Sequence, residues 1–175
     1  MTQTQTSFFD RAFAPFAEFA TKNPNYEKLM EIANSAVPFG TFVGVRITEL
    51  DAEHAVAELP DKPELQNHVR TVHAAGLFLA ADFAGAVAFV GAAGQDAGLV
   101  EWMVVRDSRA TFLKPAIGRI RAVGVVEERA MRAIASRTAD QRRFDVDGKA
   151  LLYDDNDVLV GKVSFDYVCQ LATRD

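Results

Sequence analysis

The sequence predicts an α+β fold in which an antiparallel sheet curls around one long buried helix. The run from Ala74 to Val90 is apolar or small except for Asp82. Two strand-like segments precede this run, and only strand signals follow it. A helix that is apolar on every side has to be enclosed by other elements, and a curled sheet can enclose it.

Length and composition fit one globular domain. The chain has 175 residues, of which 49% are hydrophobic and 25% are charged, and a chain of this size can bury a sizeable core. We expect a single domain over residues 1–175. An N-terminal helical extension covers residues 1–37, and the core of the fold covers residues 38–171.

Several classes of protein are disfavoured by the same bulk properties. A net charge of −5 argues against a nucleic-acid binder. Asp82 and two glycines interrupt the apolar run, which is also short for a membrane span, so we expect no membrane insertion. The single cysteine, Cys169, excludes an internal disulfide, and the N-terminus lacks the pattern of a secretory signal. These features favour the cytoplasm.

The N-terminal extension reads as two helices. Residues 7–20 place phenylalanines at helical spacing, with Pro15 expected to kink or split the helix. Asn23 and Pro24 form a cap and first turn for a second helix, which we expect Pro38 to end.

The core begins where the periodicity changes. Strands are predicted for FVGVRITEL, starting at Phe42, and for AEHAVAELP, with a turn at Asp51–Ala52. The apolar helix follows and ends at Gly91. Four further strand segments are LVEWMVV with its continuation SRATFLKPA, then RIRAVGVVEE, RRFDVDGKALLYD and DVLVGKVSFDYVCQL. We assign no helix or strand to the polar, arginine-rich stretch that precedes RRFDVDGKALLYD.

Asn67, His73 and Asp82 stand out as candidate site residues. Asp82 lies inside the apolar run, where a lone carboxylate is costly to bury unless it is paired or hydrogen-bonded. Asn67 and His73 precede the start of the helix. Polar groups, a helix start and an embedded carboxylate together can build an acyl-transfer site.

These residues and their spacing resemble the hotdog-fold acyl-CoA thioesterases of the PaaI-like kind. That family shows an Asn, five residues, His-Gly-Gly, and a carboxylate nine positions after the His, as do Asn67, His73 and Asp82 here. Its later strand often ends in Lys/Arg-Pro-Ala followed by a nearby glycine, and Lys114, Pro115, Ala116 and Gly118 follow that order in this chain. Three positions depart from the family: Ala74 and Ala75 replace Gly-Gly, and Arg70 replaces a frequent glycine.

The resemblance implies hydrolysis of an acyl-CoA thioester. The N–H of Ala74, at the helix N-terminus, would stabilise the oxyanion. Asp82 would act as general base on water or as nucleophile. Asn67 would hold the water or the carboxylate, and His73 would orient the loop or assist at the thioester.

The remaining expectations concern substrate binding. The chain carries 11 Lys/Arg and 6 Asp/Glu between Trp102 and Ala150, and a basic middle can receive a phosphorylated ligand. Lys114, Arg119 and Arg121 are candidates for the CoA phosphates, and Ala75 lies beside the expected thioester. CoA is part of the substrate, so no separate cofactor is expected. The three histidines lack zinc-ligand spacing, so no metal is expected either.

Helix geometry adds an expectation about assembly. Asp82 lies eight residues beyond Ala74, which is about 12 Å along a helix and roughly 80° around it. One carbonyl cannot easily touch both groups of the same helix. Two antiparallel helices across a twofold axis could bring Ala74 of one subunit to Asp82 of the other. We therefore expect a homodimer with two equivalent sites, and pairing of dimers into a tetramer stays open.

Other interpretations of the same residues remain open. Asp82 could be a structural acid, His73 a satisfied loop histidine, and Asn67 a turn or cap residue. A non-catalytic protein that binds acyl-CoA or an acyl carrier is the alternative function, because fold does not fix function. A hydratase has no support in the sequence. An apolar pocket is suggested by four phenylalanines: Phe39, Phe42, Phe78 and Phe83.

Overall fold

A curled six-stranded sheet surrounds one long helix in the computed structural model, which describes residues 13–173. The strands are β1 (Arg46–Leu50), β2 (Ala55–Leu59), β3 (Val100–Phe112), β4 (Ile120–Val126), β5 (Arg143–Tyr153) and β6 (Leu159–Leu171). The helices are α1 (Tyr26–Ala36), α2 (Pro38–Val43), α3 (Ala74–Ala93) and α4 (Glu128–Ala135). Short 3₁₀ turns cover Ala14–Phe16, Pro63–Leu65 and Gly94–Leu99.

The sheet is antiparallel throughout and has the order β1-β2-β4-β5-β6-β3. Its concave face packs on α3, which lies against β2, β4 and β5. Glycine allows part of this close packing, because a Cβ at Gly124 would overlap the carbonyl group of Ala84 in α3. The predicted hotdog fold, a curled sheet around a central helix, is confirmed.

The central helix is slightly longer than predicted. It continues past Gly91 to Ala93 and is terminated at Gly94, whose φ is +51°. By length and composition alone, Ala74–Leu99 could cross a membrane. However, 72% of its most apolar window is buried inside the fold, as in the core helix of a globular domain.

The N-terminal extension is less helical than predicted. Within the described part of the predicted helix over residues 7–20, only Ala14–Phe16 is helical, and it forms a 3₁₀ turn with Pro15 in its first positions. Residues 7–12 lie outside the described residues. Proline lacks the N–H that would continue an α-helix, which explains the short turn. The second predicted helix is α1, but its N-cap is Asn25, whose Oδ1 accepts from the Lys28 N–H, rather than Asn23.

Two boundaries in the core were predicted wrongly. Pro38 does not only end α1; it also begins α2, a position where proline is favoured because its missing N–H is not needed. The strand predicted from Phe42 therefore starts only at Arg46, after Gly44 reverses the chain at φ +92°. The arginine-rich stretch left unassigned contains α4. The four strands predicted after the central helix are confirmed as β3 to β6.

Candidate active site

The N-terminus of α3 is held by the side chain of His73. His73 is the N-cap, and its Nδ1 accepts a hydrogen bond from the Ala75 N–H at 3.0 Å. Its carbonyl oxygen accepts from the N–H groups of Gly76 and Leu77. Within residues 13–173, no acceptor contacts the N–H of Ala74. This group therefore remains as a free donor at the positive end of a 20-residue helix.

Asn67 closes the loop that leads into α3. Its Nδ2 donates to Thr71 Oγ1 at 2.8 Å, and its Oδ1 accepts from the N–H groups of Val69 and Thr71. The loop passes through Arg70, a non-glycine residue at φ +61°. In this structure, then, the amide of Asn67 acts as a turn-forming group.

The loop that carries Lys114 contacts the approach to α3. The N–H of Val72, next to the N-cap, donates to the carbonyl oxygen of Ala116 at 2.8 Å. Lys114 is exposed and has no ion pair within residues 13–173. Arg119 is exposed but engaged, with Nε 3.3 Å from Asp155 Oδ1 and Nη1 3.4 Å from Glu58 Oε2. Arg121 is engaged as well, with Nη2 2.7 Å from Asp157 Oδ1. Lys114 is thus the freest of the three cations predicted to meet CoA phosphates.

Asp82 lies in the middle of α3 and is half-buried. Within residues 13–173, no hydrogen bond or ion pair to its carboxylate is found. Burial raises the pKa of this carboxyl group above its ordinary value, because the charged form loses hydration. A raised pKa without a compensating partner is typical of functional carboxylates.

The carboxylate of Asp82 faces a cavity of about 430 Å³. One wall is a single face of α3, formed by Leu79, Asp82, Phe83, Ala86, Val87 and Val90. The other wall comes from the N-terminal segments and β3, through Phe13, Phe16, Ala33, Ala36, Val37, Phe39 and Met103. Of the four phenylalanines expected at a pocket, Phe39 and Phe83 line this cavity. Phe78 instead packs against Phe165, and Phe42 is 85% exposed.

Sequence reasoning missed Tyr167 and most of the cavity wall. The Tyr167 hydroxyl is buried and has no hydrogen-bond partner among the described residues. The hydroxyl lies so close to Gly85 that a Cβ at that position would collide with it. Gly85 is about one turn along α3 from Asp82. Burial raises the pKa of Tyr167, and the nearby Asp82 carboxylate raises it further. The spacing of small and apolar residues around Asp82 on a helix could have indicated the wall.

The predicted residues therefore form two groups. Asn67, His73, Ala74 and Ala75 cluster with the Lys114 loop at the start of α3, whereas Asp82 lies about 12 Å further along the helix. Burial raises the pKa of Cys169 to about 12, so this thiol is not a nucleophile at neutral pH. No cluster of His, Cys, Asp and Glu suited to a metal ion occurs between residues 13 and 173.

The architecture of this chain is similar to that of several solved structures. A protein of unknown function from Chlorobaculum tepidum superimposes with a TM-score of 0.74 at 19% identity, over 88% of this chain and 99% of that one. A Pseudomonas aeruginosa protein described as a probable thioesterase gives 0.67 at 16% identity, over 83% and 95%. The E. coli PaaI protein from the phenylacetic acid degradation operon gives 0.52 at 16% identity, over 82% and 93%.

The chain belongs to the family described as a domain of unknown function, DUF4442, whose sequence model matches residues 27–168. No curated protein matches the sequence. The structural likenesses confirm the resemblance to the PaaI-like hotdog fold. At these identities they show the fold alone.

Proposed function

We propose that this protein is an acyl-CoA thioesterase in which Asp82 is the general base. The observation that carries the proposal is the state of Asp82, an unpartnered carboxylate with a raised pKa on the wall of an apolar cavity. The reaction also needs a donor that stabilises the oxyanion. The free N–H of Ala74, at the N-terminus of α3, supplies this donor.

The proposed reaction uses one water molecule. The Asp82 carboxylate takes a proton from water as the water oxygen attacks the thioester carbonyl carbon. The carbonyl π electrons move to the oxygen, where the Ala74 N–H stabilises the negative charge. The intermediate collapses, the C–S bond breaks, and the protonated Asp82 returns the proton to the leaving thiolate. The products are a carboxylic acid and the CoA thiol.

This chemistry requires two subunits in the proposal. The two groups lie about 12 Å apart on one straight helix, so the Ala74 N–H and the Asp82 carboxylate at one thioester come from different protomers. Strand β3 supports pairing, because it is a 13-residue strand at the edge of the sheet. Val104 and Val105 are 39% and 40% exposed on it. A long, exposed edge strand offers a row of unpaired backbone N–H and C=O groups, which favours pairing with a second copy.

The substrate's CoA part would meet the basic loop at the start of α3. Lys114 is our first candidate for a phosphate contact, because it is free and its loop bonds to Val72. Arg119 would have to leave its carboxylate partners first. In this proposal residues 1–175 act as one domain, CoA arrives as substrate rather than cofactor, and a reducing cytoplasm suits the buried thiol of Cys169.

A panel of acyl-CoAs with detection of the free thiol tests the activity. We expect release of thiol by the unmodified protein and a loss of at least about 100-fold in Asp82→Asn, the usual scale for a general base. Asp140→Asn, which changes an exposed acid that does not line the cavity, is the matched control and should keep full activity. Equal activity in the two variants would contradict the proposal.

A second candidate function is binding of acyl-CoA without hydrolysis. Two observations favour it. The Ala75 N–H already donates to His73, and two alanine methyl groups stand where the resembled family has glycines. The N-terminus of α3 would then offer the oxyanion one backbone donor at most. Calorimetric binding of an acyl-CoA with no thiol release under the same conditions would support this function and exclude the first.

A further inference from the structure

We infer that the cavity beside Asp82 holds the acyl chain of the substrate, and that this chain is apolar and about 8 to 12 carbons long. The inference rests on the proposed thioesterase function, in which Asp82 marks the thioester end. It also assigns a role to the N-terminal extension, which would set the accepted chain length.

The lining excludes polar acyl groups. Apart from Asp82, every residue that lines the cavity is apolar. A hydroxyl or carboxylate on the acyl chain would lose its water partners on entering and find no replacement on these walls. An unsubstituted hydrocarbon chain suits them, and each methylene that leaves water strengthens binding by about fourfold.

The α3 wall gives a first measure of length. Its members recur every three or four residues, so they form one stripe that continues past Asp82 to Val90. From Asp82 to Val90 the helix rises about 12 Å. An extended chain advances about 1.2 Å per bond, so roughly ten carbon–carbon bonds span this distance.

The volume gives a second measure. A methylene group is close in size to water, whose share of liquid volume is about 30 Å³. A cavity of about 430 Å³ therefore has room for about 14 such groups. Part of that space has to admit the thioester, which leaves room for a medium-length chain.

The N-terminal extension closes the far side of the cavity. Phe13 packs edge-on against Phe89 of α3, with ring centroids 6.4 Å apart, and its centroid lies 5.7 Å from that of Phe16. Both Phe13 and Phe16 line the cavity. Rings held by the central helix form a fixed wall, so they can limit the chain length.

Ala86→Leu tests the inference, because Ala86 lines the cavity one turn beyond Asp82. We expect kcat/KM for decanoyl-CoA to fall at least about tenfold, while butanoyl-CoA stays within about twofold, since only the longer chain reaches the added side chain. Ala92→Leu is the matched control on the same helix, outside the cavity, and should change neither value. A loss that is equal for both substrates, or no loss, would overturn the inference.

A second pair of variants avoids any change in the core. Ala36 is exposed at the end of α1 and lines the cavity, whereas its neighbour Ser35 is exposed and does not. Ala36→Trp should reproduce the selective loss on decanoyl-CoA, and Ser35→Trp should not.

Calorimetry with decanoic acid separates this inference from the proposed function. We expect decanoic acid to bind the unmodified protein and to bind at least about tenfold more weakly to Ala86→Leu. If no acyl-CoA is hydrolysed but this pattern holds, the proposed function fails and the chain pocket stands. If hydrolysis occurs but decanoic acid does not bind, or binds Ala86→Leu equally well, the pocket fails.

Discussion

At the scale of single residues, Arg70 explains one departure from the resembled family. It occupies the left-handed region at φ +61°, which costs an L-residue roughly 1–2 kcal/mol and costs glycine nothing. The backbone of Arg70 is held in this conformation by its loop, which the Asn67 side chain closes through hydrogen bonds to Thr71. The frequent glycine of the family at this position therefore has a conformational reason that does not involve catalysis.

Replacing Arg70 by glycine should stabilise the protein. We expect Arg70→Gly to raise the free energy of unfolding by up to about 1 kcal/mol, because the relieved strain exceeds the entropy cost of glycine. Val69→Gly, at an exposed neighbour without a positive φ, should lower it by about 0.5–1 kcal/mol. Urea denaturation of both variants measures the difference. Equal destabilisation in the two would show that Arg70 carries no strain.

The titration of Asp82 links stability to activity. Its folded pKa is raised above the unfolded value of about 3.9, so it stabilises the fold below that pH. That contribution is lost as the pH rises through the folded pKa. We expect Asp82→Asn to raise the free energy of unfolding at neutral pH and to flatten the fall in that free energy as the pH rises through the folded pKa of Asp82.

Ionisation of Asp82, which lowers stability, should raise catalytic activity. A general base works only when ionised, so kcat/KM should rise with pH through the raised pKa of Asp82 and then level off. Denaturation and kinetics measured over one pH series, with Asp140→Asn as control, check the pH dependence of stability and that of kcat/KM. A loss of stability in Asp82→Asn at neutral pH would mean that its carboxylate has a structural partner.

At the scale of elements, the start of α3 combines a structural cap with the proposed oxyanion donor. His73 caps the helix by accepting from the Ala75 N–H, a role that requires the neutral imidazole with its proton on Nε2. The cap leaves the Ala74 N–H free. One histidine thereby sets which backbone donor is offered to a ligand.

Two substitutions at His73 separate the cap from chemistry. Asparagine is a favoured N-cap, so we expect His73→Asn to keep both stability and kcat/KM, while His73→Ala loses about 1 kcal/mol of unfolding free energy. Thermal denaturation and the thiol assay measure the two effects. A large loss of kcat in His73→Asn at unchanged stability would instead assign the imidazole a part in the reaction.

The sequence predicted elements well where one pattern dominated and poorly where two competed. The central helix is one long apolar run and the segments after it carry strand signals, so these elements were predicted correctly. Pro38 was interpreted only as a helix end, although proline also favours the first turn of a helix, and α2 begins there. Helix α4 was missed because exposed arginines and glutamates obscured the two buried residues of its short apolar face, Ala130 and Ile134.

At the scale of the whole molecule, the site depends on contacts that lie far apart along the chain. Asn67, His73 and Asp82 could be selected from spacing and from resemblance. The wall opposite α3 could not, because Phe13 and Ala36 of the extension and Met103 of β3 join Asp82 at one cavity only in the folded chain. Long-range packing of this kind leaves no periodic signal in the sequence.

The central claim is that each active site is shared, with the Ala74 N–H from one protomer and the Asp82 carboxylate from its partner. Ala74→Pro removes that N–H with little harm to the fold, since Ala74 is the first residue of α3 and proline is favoured there. Alone, Ala74→Pro and Asp82→Asn should each lose about 100-fold or more in kcat.

Mixing the two variants is the most direct test. After subunit exchange at equal amounts, about half of the dimers are mixed, and each mixed dimer holds one intact site out of two. We expect the mixture to regain about a quarter of the unmodified activity. Two inactive variants that stay inactive after verified exchange would contradict the account.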